Sequence, residues 1–159
     1  MSESRQDWVA IAAMAENRAI GIDGHLPWRI REEFQHFKDT TKGHILLMGR
    51  RTWEELGQEP LPGREAWVVS RSLGPADNAV VIPSVEAALA LPTGGRTVFV
   101  SGGSGIYAAG MPYCSEVLLS IIPGHYEADT FFPPFEDGFP VVEVVREHPQ
   151  FTVRRYRRG

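Results

Sequence analysis

The stretch TVFVSGGSGIYAAG, Thr97 to Gly110, runs from an apolar segment through a glycine-rich turn into a short helical pattern. That strand–turn–helix order is the unit of parallel sheets, because a parallel strand needs a long crossover before its neighbour can form. Working outward, short apolar runs recur: WVAIAAM from Trp8, HILLM from His44, AWVVS from Ala66, AVVIP from Ala79 and VLLSII from Val117. They do not alternate with polar residues, as expected of strands buried on both faces. Helical patterns lie between them: GHLPWRIREEFQHFK from Gly24, RTWEELG from Arg51, and SVEAALA, where Ser84 is placed to cap the first turn. VVEVVREH and FTVRRYR, around His148-Pro149-Gln150, read as an antiparallel hairpin. The pattern predicts an α/β domain with a mainly parallel sheet.

Three predicted strand ends carry anion-binding chemistry. Ser101-Gly102-Gly103-Ser104-Gly105 lets backbone N–H groups approach a phosphate, although a plain glycine-rich turn would look the same. In MGRRTWEELG, Gly49 is followed by Arg50, Arg51 and Thr52 at a helix start. Two arginines there oppose the helix dipole unless an anion sits between; the other reading is a solvated surface pair. VVSRS ends a further strand with Ser70 and Arg71. Ligands collect along the carboxyl ends of such sheets, so together these segments suggest a nucleotide with several phosphates.

A carboxylate stands out in the helix from Gly24. At about 100° per residue, Glu33 falls between Ile30 and Phe37, inside an apolar stripe with Phe34, while Glu32 points to solvent. Bulk composition narrows the remaining classes. With 43% apolar residues in 159, the chain can bury one core. A formal charge of -4 argues against a partner that needs a broad basic surface, such as nucleic acid. No apolar run approaches the roughly 20 residues that span a bilayer. Cys114, the one cysteine, has no partner for an internal disulfide, and the reading is a cytoplasmic protein. The five histidines lack metal-ligand spacing, so no metal site is assigned. Met48 and Trp53 read as core. Residues 1–7 are expected to be a loosely ordered polar extension, and residues 8–159 one domain.

In order and spacing, AIAAMAENRAIGIDGHLPW, Glu33 with FQHFK, MGRRTWEELG, LPGRE, VVSRS, VSGGSGIY and EADTFFP resemble dihydrofolate reductase over nearly the whole chain. The resemblance implies a central eight-stranded, mostly parallel sheet with an antiparallel C-terminal edge strand and helices on both faces. It implies NADPH-dependent reduction of 7,8-dihydrofolate, with hydride passing from the nicotinamide C4 to the pterin C6 and a water-assisted proton reaching N5. Catalytic roles fall on Glu33, which would hold the pterin's polar edge, on Ser120, which would relay a hydrogen bond to it, and on Trp28, which would hold a water. Burial should raise the Glu33 pKa, and the helix N-terminus and ligand should lower it, leaving the net sign open. Ile11, Ala12, Phe34, Phe37 and Leu56 would surround the substrate rings, and Arg64 would pair with its glutamate carboxylate.

For the cofactor, the resemblance implies backbone contacts from Ala13 and Ile20. Gly49, Arg50, Arg51, Thr52, Ser70 and Arg71 would lie around the 2′-phosphate, and Ser101, Gly102, Gly103, Ser104, Gly105, Ile106 and Tyr107 at the pyrophosphate and ribose. Gly102 and Gly103 would be joined by a cis peptide. Asn17 to Trp28 would form a mobile lid, with Asp129 on a second loop bonding to it; a plain turn carboxylate is the other reading. A monomer is implied, and Glu33 with VSGG resembles variants with reduced sensitivity to the antifolate trimethoprim. A reductase of a different heterocycle and a non-enzymatic folate- or nucleotide-binding module are the competing readings; the Glu33 and Arg64 pair disfavours the first, and the complete cofactor set the second.

Overall fold

The computed structural model describes residues 4–159. In chain order the elements are β1 (Arg5–Ala15), β2 (Ala19–Gly21), α1 (Arg31–Thr41), β3 (Ile45–Gly49), α2 (Arg50–Glu55), β4 (Glu65–Val69) and β5 (Val80–Ile82). Then follow α3 (Val85–Ala88), β6 (Val98–Val100), α4 (Ser104–Gly110), β7 (Cys114–Ile122), β8 (Thr130–Phe131), β9 (Val141–His148) and β10 (Phe151–Arg157). Eight strands form one sheet in the order β5-β4-β3-β6-β1-β7-β10-β9. All neighbours from β5 to β7 are parallel, and β10 runs antiparallel between β7 and β9.

The unbroken apolar runs have a direct cause. In β3, Ile45 and Leu47 enter the core on one face, while Leu46 and Met48 enter the core on the other. Successive side chains of a strand point to opposite faces, so a strand covered on both sides has no polar position. The first core holds Trp8, Trp67, Tyr107, Phe132 and Tyr156, covered by α3 and α4. The second holds Trp53, Phe99, Leu118 and Phe151, with Phe37 of α1 packed on it. Met48 and Trp53 are both core, each 1% exposed. Ser84 caps α3 by accepting the Ala87 N–H at 3.1 Å.

Two expectations need correction, and one small sheet went unread. Arg5, Gln6 and Asp7 belong to β1 and are not loosely ordered; residues 1–3 lie outside the described residues. A long polar first strand can be recruited because β7 offers it a partner, pairing Arg5 with Cys114. The predicted helix from Gly24 begins only at Arg31, since Ile30 is extended (φ -128°, ψ 106°). A small second sheet, β2 with β8, escaped sequence reading because strands of three and two residues carry no periodicity.

Candidate active site

The site lies where β1, β3, β6 and β7 end. Glu33 sits in the first turn of α1 and is 7% exposed, whereas Glu32 is exposed. The Ser120 hydroxyl on β7 donates to Glu33 Oε2 at 3.2 Å. Burial raises the Glu33 pKa, and the Ser120 bond offsets only part of that, so the shift in the unliganded chain is upward. Beside it, the buried Tyr107 hydroxyl donates to the Ile11 carbonyl at 2.8 Å. Burial pushes its phenol pKa well up, and the nearby Glu33 carboxylate adds to the rise.

The apolar wall next to Glu33 comes from Trp28, Ile30, Phe37 and Leu56, each half-buried. Phe34 departs from the stripe reading: it is 49% exposed and lies flat beside Phe37, ring centroids 6.4 Å apart. The Trp28 indole N–H is buried with no hydrogen-bond partner among the described residues, and its ring meets Tyr126 edge-on at 5.4 Å. Ile11 is buried, and Ala12 packs beneath the sheet.

Arg64 follows the turn at Gly63 (φ +82°) and reaches back to the end of α1. It donates to Thr41 Oγ1 at 3.0 Å and to the carbonyls of Lys38 and Pro62. A guanidinium carries five N–H donors. These bonds fix its plane at the helix end and leave donors free for an external carboxylate.

The cofactor expectations converge on a groove of about 630 Å³ lined by Ala13, Ile20, Gly49, Arg50, Arg51, Thr52 and the whole run from Ser101 to Tyr107. The Gly102–Gly103 peptide is cis, as the resemblance implied. Side chains would obstruct this floor: a Cβ on Gly49 would meet Ile106 Cγ1 at 3.0 Å. At Gly103 and Gly105 a Cβ would meet open space, so their backbone faces the cavity. The Ser101 hydroxyl instead turns to the Leu47 carbonyl at 3.1 Å. Ser70 and Arg71 line a separate depression of about 350 Å³ with Pro75, Ala79 and Val81. Arg50 links the two, donating to Ser72 Oγ at 2.5 Å. Ser70 Oγ accepts the Leu73 N–H at 3.1 Å, so part of its capacity serves its own turn.

Part of the segment from Asn17 to Trp28 lines this groove, through Ile20, Ile22, His25 and Leu26. Its base is pinned where Asn17 donates to the Tyr126 carbonyl at 2.9 Å and Arg18 pairs with Glu136 at 2.6 Å. At its tip, the Asp129 carboxylate accepts the Asp23 N–H at 3.0 Å, and the Asp129 N–H donates to the Gly21 carbonyl at 3.0 Å. The Asp23 and Thr130 hydrogen bonds hold the Asp129 carboxyl below its ordinary pKa. Sequence reading missed Glu55, Val69 and Thr130 as groove residues, while His25 and Leu26 fall in the segment it placed over the nicotinamide. Only Glu55 left a signal, standing one helical turn beyond Arg51 on the same face.

Comparisons with known proteins agree with this geometry. The family model described as dihydrofolate reductase matches residues 7–155. The dihydrofolate reductase of Neisseria gonorrhoeae is 41% identical over 149 residues, covering 93% of this chain and 86% of that protein. Dihydrofolate reductase type 3 of Salmonella typhimurium is 41% identical over 126 residues, covering 79% and 77%. Among solved structures, the dihydrofolate reductase of Enterococcus faecalis complexed with NADP(H) and RAB-propyl superposes with a TM-score of 0.81 at 30% identity, covering 96% of each chain. Family match, identity and fold coincide with the buried acid and the glycine-floored groove, and the chain belongs to the dihydrofolate reductase family.

Proposed function

We propose that this chain reduces 7,8-dihydrofolate to 5,6,7,8-tetrahydrofolate with NADPH. The observation that carries the reading is a buried carboxylate, Glu33 held by Ser120, beside a groove lined by two arginines and a glycine-rich backbone. The donor set suits the cofactor: Arg50, Arg51 and Thr52 offer cationic and hydroxyl groups to a 2′-phosphate, with Ser70 and Arg71 in the adjoining depression. Gly49 and the Ser101–Tyr107 run give backbone donors to a pyrophosphate, and Ala13 and Ile20 face the nicotinamide end. When bound, NADPH supplies the hydride; the protein orients the rings and excludes water.

Toward the substrate, Glu33 holds the pterin's 2-amino and N3 edge through a charge-assisted pair. Phe34, Phe37 and Leu56 flank the rings, Ile11 and Ala12 lie at the pterin end, and Arg64 takes the glutamate carboxylate with its free donors. The orphaned Trp28 N–H fits a water that carries the proton to N5. All these groups come from one chain, which supports a working monomer. Cys114 is buried, and burial pushes its thiol up to about 12, so it is inert as a nucleophile and compatible with a cytoplasmic setting. Glutamate rather than aspartate at position 33 supports reduced trimethoprim sensitivity; tight inhibition of the purified protein would reject that part.

The test is NADPH oxidation followed spectrophotometrically with dihydrofolate and, separately, with a ribitylaminopyrimidine. Turnover on dihydrofolate alone supports the proposal. Turnover on the pyrimidine alone, or binding without turnover, overturns it.

A further inference from the structure

The tip of the lid meets a second partner, on helix α2. Ile22 and His25 exchange both backbone hydrogen bonds, at 2.8 Å and 3.0 Å, around Asp23 (φ 50°) and Gly24 (φ 81°). Two positive φ values in a two-residue loop make a tight closed turn. Glu55, the last residue of α2, brings its carboxylate against this turn: Oε2 lies 3.0 Å from where a Gly24 Cβ would stand. Only a residue without a Cβ admits so close an approach. Partial burial raises the Glu55 pKa, while the Arg51 and His25 charges near it favour the ionised form.

We propose that Glu55 is a positioning residue for the lid, its carboxylate seating the Asp23–Gly24 turn against α2 while Asp129 holds the same turn through the Asp23 N–H. The inference rests on the cofactor reading of the groove. Its consequence is a coupling: α2 also carries Arg50, Arg51 and Thr52, so one six-residue helix both meets the cofactor phosphate and steadies the loop above the nicotinamide end. Arg51 takes part in both, because its charge acts on Glu55 and on Asp129.

The sign of one measurement separates this role from simple electrostatics. Glu55 is a negative charge lining a groove for an anionic cofactor, so bare Coulomb repulsion predicts that Glu55→Gln slows NADPH release. A lid contact predicts the reverse: release faster by about three- to fivefold, the size expected of one exposed polar contact. The release rate is measured by stopped-flow fluorescence, with KM for dihydrofolate and the thermal midpoint of the free protein both expected to stay unchanged. Glu55→Ala should speed release at least as much as Glu55→Gln, because it removes the whole reach of the side chain to the turn. Slower or unaltered release in either variant overturns the proposal and leaves the assigned reaction standing. Failure of the unmodified protein to bind NADPH overturns both.

Discussion

Replacing Glu33 with glutamine tests the central acid at constant shape. The carboxylate is 7% exposed, accepts one bond from Ser120, and has its second oxygen available to a ligand donor. Glutamine keeps one acceptor but turns an N–H₂ toward the pterin's own donors. Hydrogen bonds to a charged group contribute roughly 1.5–3 kcal/mol each. Losing one and opposing another costs about 3–4 kcal/mol, or roughly 10²–10³ in kcat/KM at neutral pH. Glu32→Gln, one residue earlier but exposed, should change kcat/KM by less than about twofold. Steady-state NADPH oxidation with dihydrofolate measures both. Stability gives an independent reading. Because burial raises the Glu33 pKa above 4.5, the folded chain holds that proton more tightly than the unfolded one. Its contribution is therefore full below the ordinary carboxylate range, and is lost as pH rises through the raised value. Thermal unfolding should show this loss in the parent protein and not in Glu33→Gln. Equal losses of activity in the two variants would refute the assigned helix phase, and an unchanged pH slope would refute the buried-acid argument.

The hydroxyl of Ser120 lowers the Glu33 pKa, so Ser120→Ala should move the matching apparent pKa in the pH profile of kcat/KM upward; a downward move would remove Ser120 as its partner. Arg64→Lys should raise KM for dihydrofolate by about tenfold with kcat nearly unchanged, since lysine lacks the fork that serves Thr41, Lys38 and the substrate together. For Arg50→Ala, KM for NADPH should rise several-fold while the weaker reaction with NADH stays constant, because only NADPH carries the 2′-phosphate. Trp53→Ala, at a position 1% exposed, should cost about 3–5 kcal/mol in urea unfolding; a loss below about 1 kcal/mol would contradict its place in the core.

Sequence legibility followed periodicity. β3 and β4 were readable because both faces are buried, and Glu33 because a helix of 11 residues holds a phase even when its start is misplaced by several residues. The start itself was not readable, since Ile30 carries no capping side chain and HLPWRI keeps the apolar rhythm outside the helix. β2 and β8 were invisible for want of length. Glu55 belongs to neither group: its spacing from Arg51 places it on the groove side of α2, but which loop it meets there leaves no trace in local composition. Phe34, read on the same apolar stripe, stands half in solvent, because helical phase marks a side without saying whether protein or open space lies beyond it.

The strand order carries a consequence for how the chain comes into being. β1 is the first strand made, yet it lies in the interior of the sheet, between β6 and β7, with Trp8 paired to Val98 and Ala13 to Ser120. Residues separated by so much intervening chain must meet before the centre of the sheet exists, and closing such long loops slows folding. On a ribosome, β1 therefore waits for β6 and β7, and an early stop before Cys114 strands it with one edge bare. β10 and β9 then seal β7 from the other side, so both must be made before the sheet that supports Glu33 can close.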